Sequence, residues 1–421
     1  LMLTLNNTFD SHVINGTIEG DYYSHDYSNS TSNSEWVNGI NIAGDSRYSS
    51  FESLTIKDIT GYGSGNNIAN SRDGSLPYNY TNYKSINNTF KLGDIDILTG
   101  EDIKSTNRTT CDFIDIISFV PYKYLTVSAY LGYQGNLCGT WNILCHFYDY
   151  NKKYITSING YQYRKIFIPS NSHYLRVTIL NEAYPNNLTI NLFRIPTHCS
   201  FKNIIHKNCR CVGMAQSAMK DMLVESCEFV NCGQTSAKSA YDAEDGWDMM
   251  QDCTFYNLNF HDNPNNEFLV CAGHNFTIKN ITNGKIYFYE RLNSFCIKNS
   301  IISSATLWYT SLNRSGYSRF YNNTCNGNII IQENSASNLP ILIKDCTIHG
   351  RVHANTTTKS KILRCTITSS LYSKESYNNS LGSSTFLYCS IVNLNGNHNY
   401  SGNYINCSIN NFSGMLQGNF Y

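Results

Sequence analysis

Short alternations of apolar and polar residues recur along the chain. Six of them share one form: Ser226-Cys227-Glu228-Phe229, Asp252-Cys253-Thr254-Phe255, Asp345-Cys346-Thr347-Ile348, Arg364-Cys365-Thr366-Ile367, Tyr388-Cys389-Ser390-Ile391 and Asn406-Cys407-Ser408-Ile409. A period of two puts Cys and the large apolar residue on one face and the polar residue on the other. The steps from Cys346 to Cys365, Cys389 and Cys407 are 19, 24 and 18 residues. Short strands returning at that interval with no helical pattern between them predict a β-solenoid, in which each coil buries its apolar face only by stacking on the next. Like residues then line up as inward ladders of Cys, Ile and Phe, and Asn suits the corners.

The same grammar opens the chain. Val13 to Asp21, Asn38 to Gly44 and Phe51 to Ile59 read as three successive coils, and the pattern resumes at Phe201-Lys202-Asn203-Ile204-Ile205. Between about 93 and 197 it breaks. Phe113 to Ile116, Tyr124 to Val127, His146 to Asp149, Ile166 to Pro169 and Tyr174 to Thr178 read instead as antiparallel strands of a small β-sandwich. The expected organisation is N-terminal coils over 1–92, an inserted sandwich over 93–197 and continuing coils over 198–421. Gly61 to Gly65 is expected to be a Gly-rich corner with no phosphate-binding role.

Composition agrees with an all-β chain rich in turns. Of 421 residues 32 are Tyr and 20 Phe, only 7 are Pro, and Asn is roughly one residue in eight. An A+T-rich genome would enrich Asn and Tyr as well. The 31 Lys and Arg balance 31 Asp and Glu, which argues against nucleic-acid binding through a basic face. No run is long enough to cross a bilayer, and the Leu1 start, without a signal-peptide pattern, is expected of an excised fragment or processed product. The 16 Cys are diluted over a long chain without zinc spacing. They read as reduced, buried, small apolar side chains, and no metal or cofactor is expected.

Two stretches carry candidate chemistry. In Ala240-Tyr241-Asp242-Ala243-Glu244-Asp245-Gly246-Trp247-Asp248, four acids fall within seven residues of a chain that is 15% charged. On an extended strand Asp242 and Glu244 share a face. Carboxyls this close cannot all ionise cheaply, so one keeps a proton, and glycoside hydrolysis needs that division between acid and base or nucleophile. Asp242 and Glu244 are the first candidates, Asp245 the third, with Trp247 as a sugar-stacking ring. The same acids would also suit a solvated face, a calcium ion, or sugar hydroxyls held without catalysis. The second stretch is Gly20-Asp21-Tyr22-Tyr23-Ser24-His25-Asp26-Tyr27, followed by Glu35-Trp36. Acids, an imidazole and aromatics on a loop beside a rigid strand make a carbohydrate surface, or an ordinary polar loop.

These runs bear a likeness. Gly16-Thr17-Ile18-Glu19-Gly20-Asp21 through His25-Asp26-Tyr27, Glu35-Trp36 and Gly39-Ile40-Asn41-Ile42, with Asp242 to Asp252 and Val270-Cys271-Ala272-Gly273-His274-Asn275, resemble right-handed parallel β-helix proteins of bacteriophage tails. These are the preneck appendage and tailspike proteins of phages that infect low-GC Gram-positive bacteria. The resemblance implies a right-handed parallel β-helix interrupted by an antiparallel sandwich that binds carbohydrate. It implies a homotrimer in the virion tail, assembled in the bacterial cytoplasm beside other tail proteins. It also implies binding, and often degradation, of host cell-wall polysaccharide or teichoic acid, with Asp21, His25, Asp26, Glu35, Trp36, Asp242, Glu244, Asp245 and Trp247 in the groove. Two departures stand out: Ser34 where relatives carry His before Glu-Trp, and Gly61-Tyr62-Gly63 where they carry Gly-Asp-Gly. The expected function is a glycan- or teichoic-acid-hydrolysing tail spike. The alternatives are a non-catalytic adhesin, then a lyase, then a spacer.

Overall fold

The computed structural model describes residues 3–29, 37–66, 84–86, 90–131, 142–161, 165–180, 188–235, 238–243, 250–309, 318–333, 341–355, 360–372, 385–400, 403–416 and 419–420. The chain divides into two compact units, one made of Leu1–Asn67 with Pro196–Tyr421 and the other of Ile68–Ile195.

The first unit is a parallel β-helix built on three long ladders. The first ladder runs from Asn38–Ala43 to Tyr62–Asn66, Val212–Gln216, Ser239–Ala243 and onward, all parallel. Its register aligns Ile40, Ser64, Met214, Tyr241, Phe268 and Ile286. The second ladder aligns Phe51, Phe201, Val224, Phe255, Ile278 and Ile297. The third aligns Ile56, His206, Phe229 and Phe260. Most of these side chains are fully buried in one continuous core. Each large one contributes about 1.5–3 kcal/mol by leaving water. No coil could gather that burial alone, which is why apolar periodicity in the sequence becomes stacking in space.

The corners account for part of the Asn excess. Between the second and third ladders Asn203, Asn257, Asn280, Asn299, Asn322 and Asn406 all take positive φ between 49° and 57°, the left-handed region that Asn tolerates best after Gly. Their amides bridge coils: Asn322 Nδ2 donates to Asn299 Oδ1 at 2.7 Å and Asn257 Nδ2 to Ser226 Oγ at 3.1 Å. The next residue turns inward, and this is where Cys227, Cys346, Cys365, Cys389 and Cys407 sit. The alignments Thr347 with Thr366, Thr366 with Ser390 and Ser390 with Ser408 make the last four cysteines successive coils, as their spacing predicts. Cys253 belongs to a different corner, after Asp252 and ahead of the second ladder. The fifteen described cysteines are all free thiols.

Three expectations need correction. Asn38–Ala43 and Ser50–Lys57 are not separate coils but two sides of one, because the first pairs with Tyr62–Asn66 and the second with His12–Glu19. Gly61 to Gly65 is not a corner: Tyr62–Asn66 is a strand of the first ladder. The insertion also begins earlier than 93. Lys84–Ile86 pairs antiparallel with Leu188–Phe193, and Phe90–Leu92 with Arg108–Cys111, so the division falls at 67/68 and 195/196. Within the inserted unit two antiparallel sheets enclose a core. Cys111, Cys145, Phe147, Leu175 and Val177 come from one sheet, and Leu125, Val127, Ile190 and Leu192 from the other.

Candidate functional site

One edge of the β-helix gathers most of the described candidate chemistry. After the third ladder the chain turns at Asp58, Asn208, Asn231 and Asp262, each with positive φ. Their side chains form a polar ladder. Asn208 Nδ2 donates to Asp58 Oδ1 at 2.8 Å, Asn231 Nδ2 to Asn208 Oδ1 at 2.9 Å, and Gln234 Nε2 to Asn231 Oδ1 at 3.0 Å.

The loop from Gly20 to Tyr27 folds onto this edge. Gly20 N–H donates to Lys57 O and Tyr22 N–H to Asp58 O, both at 3.0 Å. A Cβ on Gly20 would stand 2.5 Å from Asp58 O, so the close approach requires glycine. Tyr22 Oη then donates to Gln234 Oε1 at 2.6 Å, spanning 212 residues of sequence. Tyr27 Oη donates to Tyr22 O at 3.0 Å, and the Arg210 guanidinium lies 4.4 Å from the Tyr27 ring centre. Tyr23 is 71% exposed beside Tyr22, their rings 4.7 Å apart.

Asp21 and His25 form the reactive-looking pair of the loop. His25 Nδ1 lies 2.9 Å from Asp21 Oδ2, and Thr60 Oγ1 donates to Asp21 Oδ1 at 2.5 Å. The Thr60 hydrogen bond, followed by that of His25, holds the Asp21 carboxyl below the usual carboxylate range. Asp26 does a local job: its Oδ1 accepts the backbone N–H of Ser28 at 2.9 Å and the Ser28 hydroxyl at 2.5 Å, fixing the turn into Tyr27–Asn29. Two of the three described candidates of this stretch, Asp21 and His25, are thus brought together, while Asp26 serves the loop. Glu35 and Trp36 lie outside the described residues.

Of the acid cluster only Asp242 is described; Glu244, Asp245 and Trp247 lie outside the described residues. Asp242 sits on Ser239–Ala243 between Ala215 and Leu269 of the neighbouring coils. The resemblance implies a groove position for it, but it is 2% exposed. Alternation does put it opposite the core ring of Tyr241. Its burial on that side is therefore not set by the strand pattern; its coil neighbour Ala215 is half-buried against a second apolar cluster of Tyr62, Cys211 and Val212. Tyr62, the departure from Gly-Asp-Gly, belongs to that cluster.

A further constellation escaped the sequence reading. His261 Nε2 lies 2.7 Å from Glu228 Oε1, and its Nδ1 lies 2.9 Å from Asp262 Oδ2. The Asp262 and then the Glu228 hydrogen bond raise the imidazole above the ordinary histidine range. Glu228 and His261 are 33 residues apart and meet only because Phe229 stacks on Phe260, their rings 5.0 Å apart. The one signal in the sequence is the likeness of Glu228-Phe229-Val230-Asn231 to Asn259-Phe260-His261-Asp262. Among the described residues no cluster of three or more His, Cys, Asp or Glu suits a metal ion. The inserted unit has its own aromatic cluster: the Phe113 ring meets Tyr148 at 4.9 Å and Tyr174 at 5.9 Å, with Lys152 Nζ 4.8 Å from its centre.

No helix among the described residues is long and apolar enough to cross a membrane. No family model matches the chain, and no curated protein matches it.

Proposed function

We propose that this chain is a tail-spike or appendage protein of a phage virion that binds a host cell-surface glycan, and that the edge built by Asp21, Tyr22, Tyr23, His25, Tyr27 and Arg210 holds the sugar. The observation that carries the reading is the convergence on one edge of an ionised carboxylate, an imidazole, an exposed ring and a guanidinium, drawn from chain segments about 200 residues apart. Carboxylate and imidazole accept and donate to sugar hydroxyls, and Tyr23 offers a ring face for stacking. The parallel β-helix suits the task, since stacked coils fix a long polar edge at constant spacing. The sandwich is a second carbohydrate-binding module in this reading. The virion location, the homotrimer, the other tail proteins as partners and assembly in the bacterial cytoplasm rest on the resemblance.

The second reading is that the bound glycan or teichoic acid is also hydrolysed, with Glu244 and Asp245 as acid and base or nucleophile. Asp242 is less suited to touching substrate, since it is buried. Incubation of the full chain with purified host wall polymer separates the two readings. Binding without release of reducing ends or phosphate supports the adhesin. Release that Glu244→Gln abolishes while binding persists supports the hydrolase. Binding unchanged in Asp21→Asn/Tyr23→Ala refutes the edge as the glycan site.

A further inference from the structure

The outward side of the second ladder carries charge that the chain as a whole does not. The full sequence is neutral, with 31 cations against 31 acids. Yet from Thr277 to Arg364 the outward and corner positions of this ladder hold Lys279, Lys298, Arg319, Lys344, Lys361 and Arg364 against one described carboxylate, Asp345. That carboxylate is already engaged by Arg364 through two hydrogen bonds of 2.6 and 2.7 Å.

Register places Tyr256, Lys279, Lys298, Tyr321 and Lys344 side by side on successive coils, about 4.8 Å apart. Lys279 and Lys298 are therefore like charges directly opposite each other, an arrangement that destabilises a strand pair. They lean apart onto flanking rings: Lys279 Nζ lies 4.5 Å from the Tyr256 centre and Lys298 Nζ 5.7 Å from the Tyr321 centre. A bound anion would turn this repulsion into attraction. Beside the column runs the corner ladder of Asn257, Asn280, Asn299 and Asn322, whose amides can meet hydroxyls.

From this segregation of charge we infer that the column from Tyr256 to Lys344 binds a linear polyanion, a glycan bearing carboxylate or phosphate groups, laid along the coil axis. Nucleic acid fits less well, because the ammonium groups already cover the tyrosine faces that would stack on bases. The inference rests on the proposed function only in taking the polymer to be a host glycan. Its site lies on a different ladder from the Tyr22–Arg210 edge, so the two can fail separately.

The full chain is titrated with polygalacturonate, poly(glycerol phosphate), neutral dextran and single-stranded DNA over a salt series. Polygalacturonate and poly(glycerol phosphate) distinguish the carboxylate from the phosphate source. At least one of them binds, more weakly as salt rises. Lys279→Gln/Lys298→Gln weakens that binding tenfold or more and flattens its salt dependence. Lys57→Gln/Lys202→Gln, which removes two cations near Glu19 and Glu52, leaves it unchanged. Bound polymer also protects Lys279 and Lys298 of the unaltered chain from amine acetylation, a readout that needs no variant to fold. Absence of polyanion binding at low salt, equal loss in both double variants, unprotected lysines, or tighter binding of DNA than of either glycan overturns the inference. Intact polyanion binding with no host-polymer binding at the Asp21 edge overturns the proposed function alone.

Discussion

At the scale of single residues, the edge site is held by hydrogen bonds that tune charge. Asp21 is ionised below the usual carboxylate pH because Thr60 and His25 both donate to it. Such a depressed group stabilises the fold above its unfolded value, near 3.8, and loses that contribution as pH falls through its lower folded value. Thr60→Val therefore raises the Asp21 pKa toward the ordinary range, read by carboxyl carbon NMR over pH 2 to 6, and weakens glycan binding at the acid end. An unmoved titration would show that Thr60 does not set the charge. Two fully buried thiols follow the opposite rule. Burial pushes Cys227 and Cys253 up to about 12, so they are neutral core groups donating to backbone carbonyls such as Phe201 O, 3.6 Å from Cys227 Sγ.

At the scale of the element, the decisive unit is the corner rather than the strand. Strands of the second and third ladders are often only three residues long, too short to hold a register alone. Corner residues in the left-handed region fix where each strand ends. Asn322→Ala leaves a Cβ at φ 55° without the local polar compensation that lets Asn take the left-handed region, at a cost of up to about 1–2 kcal/mol, and removes the bridge to Asn299. Asn322→Gly removes the bridge without the backbone cost. The alanine variant should therefore shift the denaturant midpoint of the solenoid transition further than the glycine variant. Equal shifts would mean that the side-chain ladder, not the backbone, dominates the corner.

At the scale of the whole molecule, one corner absorbs the irregularity of the chain. The chain leaves the first ladder after Tyr62–Asn66 and resumes at Thr197, in a short column of bridges with Arg47 and Lys220. One coil later Val212–Gln216 and Met219–Lys220 make the same connection with only Ser217 and Ala218 between them. The segment carrying Glu244, Asp245 and Trp247 joins the next pair, Ser239–Ala243 and Met250–Gln251. The 68–195 unit thus occupies the place of a two-residue turn, and loop insertions at such a place cost little. Replacing residues 68–195 with a short Gly-Ser linker should leave a folded β-helix, seen as retained strand circular dichroism and one remaining thermal transition. Loss of that transition would mean the coils need the insertion to fold.

The sequence by itself determined the solenoid, the inward cysteines of the repeated Cys-x-Phe/Ile strands (though not Cys296, which is half-buried beside the outward Arg319), the coil step through Cys346, Cys365, Cys389 and Cys407, and the presence of a non-repeating antiparallel segment. Each is written in local periodicity, because a side chain's face follows from its position along an extended backbone. Local periodicity cannot say which strands belong to one coil. It therefore made Asn38–Ala43 and Ser50–Lys57 two coils, and set the insertion boundary at 92/93. The candidate site divides in the same way. Asp21 and His25 are four residues apart and were legible together. The contacts of their loop neighbours Tyr22 with Gln234 and Tyr27 with Arg210, and the meeting of Glu228 with His261, exist only in the stacking register. Burial of Asp242 was likewise decided in three dimensions, since alternation fixes which side of a strand a carboxyl takes but not what closes over that side.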